Sequence, residues 1–178
     1  MNENPVGNMV EINSEIGELE AVMLHRPGAE LERLTPHYLG ELLFEDIPWV
    51  EKIREEHDAF AETLRREGVK VYYHEELLTQ VLQDVEIRRS LVDEVLAGCR
   101  IGDRALRGEI RAYLLEQEPR QLVETLMVGL SKQEERKHDI GRRGGGERLS
   151  DYIREDYPFF VNPLPNLYFT RDPATVIG

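Results

Sequence analysis

Asn166, Phe169 and Asp172 stand three residues apart in the run Asn-Leu-Tyr-Phe-Thr-Arg-Asp near the end of the sequence. A short strand and turn, or one tight helical turn, gathers such positions around a ligand. An amide, an aromatic plane and a carboxylate suit a planar cation in particular. A guanidinium group stacks its face on an aromatic ring and meets a carboxylate through two parallel N–H bonds. Well-formed charge-assisted hydrogen bonds contribute about 1.5–3 kcal/mol each. The same residue types have an ordinary use, since Asn and Asp serve in turns and Phe in cores, and spacing alone leaves both uses open.

Other reactive side chains are sparse. Cys99 is the single cysteine, so no internal disulfide can form, and its place beside Gly98 in a helical region suits a small buried hydrophobe better than a nucleophile. His25, His57 and His74 fall in or beside expected core elements, His37 in a loop and His138 in a polar stretch. None has a ligand spacing such as HxxxH, so neither a metal nor a cofactor is expected. Arg142 and Arg143 precede Gly144-Gly145-Gly146, but the GxxxxGK[ST] pattern and its preceding strand are missing, which argues against phosphate binding.

These residues need elements to position them. Residues 9–25 read as two strands, the second over 21–25, with turn formers around Asn13, Ser14 and Gly17. Pro27-Gly28 ends the second strand, and residues 29–47 form a long irregular loop holding a short helical turn. Long loops in compact domains are more often functional than incidental. Pro48 suits a helix start, Trp49, Ile53, Phe60 and Leu64 share one helical face, and Gly68 stops the helix. Residues 69–74 are rich in β-branched and aromatic types and read as a strand. The order strand, strand, helix, strand makes a compact α/β module over residues 1–75.

From 76 to 157 the helical period dominates. Leu77, Leu78, Val81 and Leu82 form one stripe, and Leu91, Val92, Val95 and Leu96 another. Helices are expected over 104–116, where Leu106, Ile110 and Leu114 align, and over 120–130, where Leu122, Leu126 and Leu130 align, with Pro119 between them. The segment reads as an insertion of short antiparallel helices. Residues 132–148 lose their apolar positions and are expected to be mobile. A helical stretch near 149–155 and a strand over 159–161 follow, and residues 158–178 open a new module. Pro163, Pro165 and the Asp172-Pro173 pair restrict the backbone around the candidate segment.

Composition bounds the function classes. With 178 residues, 40% hydrophobic and 32% charged, the chain can bury a substantial core. A net charge of -13 opposes phosphate backbones and anionic lipid, so nucleic acid and membranes are not expected partners. Glu51, Glu55, Glu56 and Glu62 read as a solvated helix face. No apolar run is long enough to span a bilayer and the first residues lack signal-peptide features, which makes the cytoplasm the default location.

The run from Pro163 to Pro173, Pro-Leu-Pro-Asn-Leu-Tyr-Phe-Thr-Arg-Asp-Pro, resembles the PLPNxxFTRD signature of the arginine deiminases, within the guanidine-modifying superfamily. Ser14-Glu15-Ile16-Gly17-Glu18-Leu19, His25-Arg26-Pro27-Gly28, Leu34-Thr35-Pro36 and the seven residues from Glu41 to Ile47 are similar to that family's opening module. The resemblance implies an α/β fold, a partial propeller of pentein-type ββαβ modules with an inserted α-helical domain. It implies hydrolysis of L-arginine to L-citrulline and ammonia, in which carboxylates grip the guanidinium, a cysteine thiolate attacks its carbon and a histidine moves protons. By motif position Asp172 grips the guanidinium, Asn166 helps to hold the amino-acid end, and Phe169 lines the pocket; the loop with Leu42, Leu43 and Phe44 is similar to a stretch near the pocket mouth. The nucleophilic cysteine, the histidine and the other acids belong to later modules, beyond Gly178, so this chain is expected to be an incomplete enzyme that self-associates or joins a C-terminal portion. Two other classes compete: a non-catalytic interaction module built on residues 76–157, and a protein that binds arginine without chemistry.

Overall fold

The computed structural model describes residues 14, 16–37, 39, 40, 42, 44–137, 140 and 157–170. Strand β1, Ala21–Leu24, lies parallel to β2, Lys70–Tyr73, with Ala21 opposite Lys70 and Leu24 opposite Tyr73. Parallel neighbours need a long crossover, and helix α1, Val50–Arg66, supplies it. Gly68 ends the crossover helix at φ +85, a left-handed backbone that glycine adopts without strain. Of the stripe expected on α1, Ile53 and Leu64 are half-buried, whereas Trp49 is 71% and Phe60 54% exposed. Val50 and Ala61 are buried instead.

The expected strand over 69–74 is shorter, because His74 already opens helix α2, His74–Val81, with no loop between. Glu75 and Glu76 occupy its first turn, where carboxylates oppose the positive end of the helix dipole. Helix α3, Val85–Gly98, starts at Asp84, whose carboxylate accepts from the backbone N–H of Glu86 at 2.8 Å and of Ile87 at 3.2 Å. Helix α4, Arg104–Glu116, starts the same way at Asp103 and covers the expected span, with Leu106, Ile110 and Leu114 buried. Helix α5, Pro119–Val128, takes its proline at the first turn, where a missing N–H costs nothing. α2 packs on α5 and α3 on α4 around one apolar core that includes Leu82, Val92, Ile110, Leu114 and Leu122.

The helix expected over 120–130 stops at Val128. Gly129 follows at φ +80, and a Cβ there would lie 2.6 Å from both Pro163 N and Val161 O, so only glycine fits. Leu130–Ser131 then forms a two-residue strand, β3, antiparallel to β4, Phe159–Val161. Part of the stretch expected to be mobile is helix α6, Lys132–Lys137. A reciprocal cap starts it: Ser131 Oγ accepts from Glu134 N at 3.1 Å, and Glu134 Oε2 accepts from Ser131 N at 3.0 Å. Residues 132–137 are polar yet strong helix formers, so low hydrophobicity was a poor guide to order there. The strand expected near residues 9–13, the glycine run at 144–146 and the helical stretch near 149–155 lie outside the described residues.

A second, smaller core underlies the long loop. The expected short helical turn is the 3₁₀ turn Leu31–Arg33, and Leu31, Leu34, Leu42 and Val50 are buried together, with Leu39 and Phe44 packed against them. No helix among the described residues is long and apolar enough to cross a membrane.

Candidate functional site

The segment that carries the candidate residues is a 3₁₀ turn, Pro165–Tyr168, whose entry is fixed by Leu164 N donating to Met127 O at 2.8 Å. Pro165 is buried and anchors the turn against the body of the protein. Phe169 N donates to Asn166 O at 3.0 Å, which folds residues 166 and 169 onto one another. Asn166 is exposed, and its Nδ2 donates to the Leu42 carbonyl at 3.2 Å, across a separation of 124 residues. Phe169 is 46% exposed, with its ring 6.3 Å from Phe44 and 5.0 Å, edge-on, from Tyr168. The fold therefore brings two of the three candidate residues onto the loop that holds Leu42 and Phe44. Asp172 and Leu43 lie outside the described residues.

A cluster of ionisable groups sits where β1 ends, around His25, which the sequence places in or beside a core element, and two glutamates, Glu30 and Glu75, that the sequence does not single out. His25 is 4% exposed, with Nε2 3.0 Å from Glu30 Oε1 and Nδ1 3.3 Å from Glu75 Oε2. An ionised carboxylate only accepts, so both contacts are hydrogen bonds together only when both ring nitrogens carry hydrogen, as in an imidazolium. Burial by itself lowers the His25 pKa, but the hydrogen bonds and charges of Glu30 and Glu75 outweigh it and raise the value from 6.5 to about 9. Burial likewise pushes Glu30 and Glu75 up, and their bonds to His25 hold both below the usual carboxylate range. Glu30 also accepts from Gly28 N at 2.6 Å, and a Cβ on Gly28 would meet its Oε2 at 2.5 Å, so the Pro-Gly turn is shaped around this carboxylate. His57 and His74 are shifted the other way, chiefly by burial, and the buried His57 Nε2 and His74 Nδ1 have no hydrogen-bond partner among the described residues.

His25 also faces a cavity of about 400 Å³ whose other walls include Glu56, His57, Phe60, Tyr168 and Thr170. A smaller one, of about 260 Å³, lies between Leu42, Gly98, Cys99, Arg100 and the aromatic residues Tyr157, Phe159 and Phe160. Asn166 and Phe169 line neither; they border the first through Tyr168 and Thr170. Cys99 is half-buried against the helical core, its Sγ donates to Val95 O at 3.2 Å, and burial raises its pKa. A thiol so placed is a weak nucleophile at neutral pH, which agrees with a structural cysteine. The ionisable cluster left no local signature, because the partners of His25 lie five and fifty residues away. The sequence hints are a histidine at a strand end and the run His25-Arg26-Pro27-Gly28, neither of which names Glu30 or Glu75.

Comparison with known proteins adds an independent line. The family described as arginine deiminase matches residues 40–178. The chain is 46% identical over 170 residues to an arginine deiminase of Streptococcus uberis (strain ATCC BAA-854 / 0140J), covering 95% of this chain and 40% of that protein. It is 45% identical, with the same coverage, to one from Streptococcus agalactiae serotype Ia, and 46% identical to one from Streptococcus equi subsp. zooepidemicus (strain MGCS10565). The chain thus spans about 40% of the length of the curated relatives it matches.

Proposed function

This chain belongs to the arginine deiminase family, and we propose that it forms the substrate-holding side of a site that hydrolyses L-arginine to L-citrulline and ammonia. One observation carries the reading: the Asn166–Leu42 hydrogen bond and the Phe169–Phe44 contact seat the motif segment on the long loop, with both side chains left at the surface. Phe169 offers its ring to a planar cation, and Asn166 addresses the amino-acid end with the part of its amide not given to Leu42. Asp172, three residues on, supplies the carboxylate that meets the guanidinium fork. A carboxylate in that place keeps the substrate cationic and oriented, so that a thiolate attacks an electron-poor carbon; ammonia then leaves, and water releases citrulline. The thiolate and the proton-shuttling histidine belong, in this reading, to the length by which the relatives exceed this chain.

The parallel β1–α1–β2 unit is what one ββαβ module of a pentein propeller contains after its first strand, and the helices α2 to α6 fit a domain inserted behind it. We assign residues 1–75 to the first module, 76–157 to the insertion and 158–178 to the start of the next. A cytoplasmic location and self-association accompany this assignment. The direct test joins the chain to the remaining length of the Streptococcus uberis relative and measures citrulline. Asp172→Ala is expected to abolish turnover, by a factor of about 1,000 or more on the scale of lost electrostatic stabilisation. A modest change in rate would count against the guanidinium role, and turnover by the unjoined chain would refute the division of labour.

A further inference from the structure

His25 joins three parts of the backbone: its own position at the end of β1, the turn that carries Glu30, and the first turn of α2, which carries Glu75. Glu30 immediately precedes the 3₁₀ turn Leu31–Arg33, and Leu31 is the most buried member of the small core. That core contains Leu34, Leu42 and Val50, with Phe44 on its flank. Leu42 and Phe44 are the two residues that meet Asn166 and Phe169. We propose that His25 is a positioning residue for the candidate site: bridging Glu30 and Glu75, it holds the turn after β1 and, through the small leucine core, the Leu42 carbonyl and the Phe44 ring that seat Asn166 and Phe169. As a statement about function this rests on reading Asn166 and Phe169 as substrate-holding residues; as a statement about structure it does not.

The bridge exists only while the ring is charged, since a neutral imidazole has a single N–H and faces one of the two carboxylates with a lone pair. The surrounding groups do not replace it. Burial, with the His25 charge adding to it, lowers the pKa of His74 on α2, burial with the charges of Arg26 and His25 lowers that of His57 on α1, Glu56 lies across the cavity, and Asp58 is committed to Arg26 through two bonds of 2.8 Å. Tyr73 on β2 faces His57, at 5.9 Å between ring centroids. Because the folded pKa of His25 lies above its ordinary value, the stabilisation is complete below about 6.5 and is lost as pH rises through about 9. The site is therefore tight at neutral pH and loosens under alkaline conditions.

The test follows the 178-residue chain by NMR from about pH 6 to about pH 10, a range that spans the ordinary and the raised pKa. The probes are the His25 ring, the Leu31 and Leu34 methyl groups and the Asn166 side-chain carbonyl carbon. The His25 ring is expected to titrate near 9, with the leucine methyls and the Asn166 carbon shifting at the same midpoint. Glu75→Gln should lower that common midpoint by about one pH unit or more. In His25→Gln the probes at 31, 34 and 166 should occupy their alkaline positions already at neutral pH. Should that variant not fold, the native titration and Glu75→Gln decide the matter alone. A His25 midpoint at or below 6.5, or a titrating His25 beside an unmoved Asn166 carbon, would overturn the proposal. No arginine is present in these measurements, so their failure leaves the guanidinium reading standing, and a failed citrulline assay leaves this coupling standing.

Discussion

The helical bundle and the loop region around His25 are held together by different physics. In the bundle, Val92, Ile110, Leu114 and Leu122 are completely buried at helical spacing, and each such side chain contributes about 1.5–3 kcal/mol by leaving water. Among the described residues the loop region has a small core of four, Leu31, Leu34, Leu42 and Val50, and it closes with charges instead. His25, Glu30 and Glu75 clamp one end, and Arg33 reaches α6 to pair with Glu134, the carboxylate that also caps Ser131. Apolar burial is indifferent to pH, whereas a buried charge pair is not. The two regions should therefore respond differently to the same perturbations.

The largest effect is expected in the bundle. Leu114→Ala removes a fully buried side chain and should cost about 2–5 kcal/mol, read as a lower denaturation midpoint, equally at neutral and at alkaline pH. If that loss varied with pH, the contrast between the regions would fail. Next comes Glu30→Gln, which leaves the His25 charge half-compensated in a buried place; about 3 kcal/mol is expected at neutral pH, shrinking as pH rises through about 9 because the native bridge is lost there too. Denaturant melts at several pH values check this. On the acid side the same bridge has the opposite dependence: Glu30 and Glu75 are depressed, so their contribution is present above the ordinary carboxylate range and is lost as pH falls through their folded values.

Smaller effects sharpen the comparison. Gly28→Ala pushes a Cβ against the Glu30 carboxylate and should lower the His25 pKa, while Gly40→Ala, with nothing within 4 Å of the new atom, should not. Histidine ring titration in the two variants separates a specific clamp from general loop stiffness. Asp103→Ala removes the α4 cap and should cost about 1 kcal/mol without touching His25 or Asn166. Movement of the Asn166 signals in that variant would mean that the bundle and the loop are not independent.

Much of the bundle was legible because its determinants are local. The apolar period of Leu106, Ile110 and Leu114 lies within α4, and Pro119 follows three residues after its last residue, Glu116. β4 was legible for a similar reason, from three consecutive β-forming residues. β3 was not, because two residues become a strand only through their partner, and Leu130 keeps the spacing of the preceding helix. α6 was misread because helix propensity and hydrophobicity point in different directions in a run of lysine, glutamine, glutamate and arginine. For the candidate site, the motif named Asn166 and Phe169, but nothing in it specified the Leu42 carbonyl or the Phe44 ring.

By itself, then, the order of residues determined the apolar helices of the bundle, the strand that leads into the motif and the family to which the motif is similar, because propensity and periodicity act over a few neighbours. Only the tertiary structure decided that Asn166 meets Leu42 across 124 residues and that His25 carries a charge at neutral pH. Proximity of that kind is set by packing of distant segments, and the protonation of a buried group is set by which carboxylates the fold brings to it and how much water it removes.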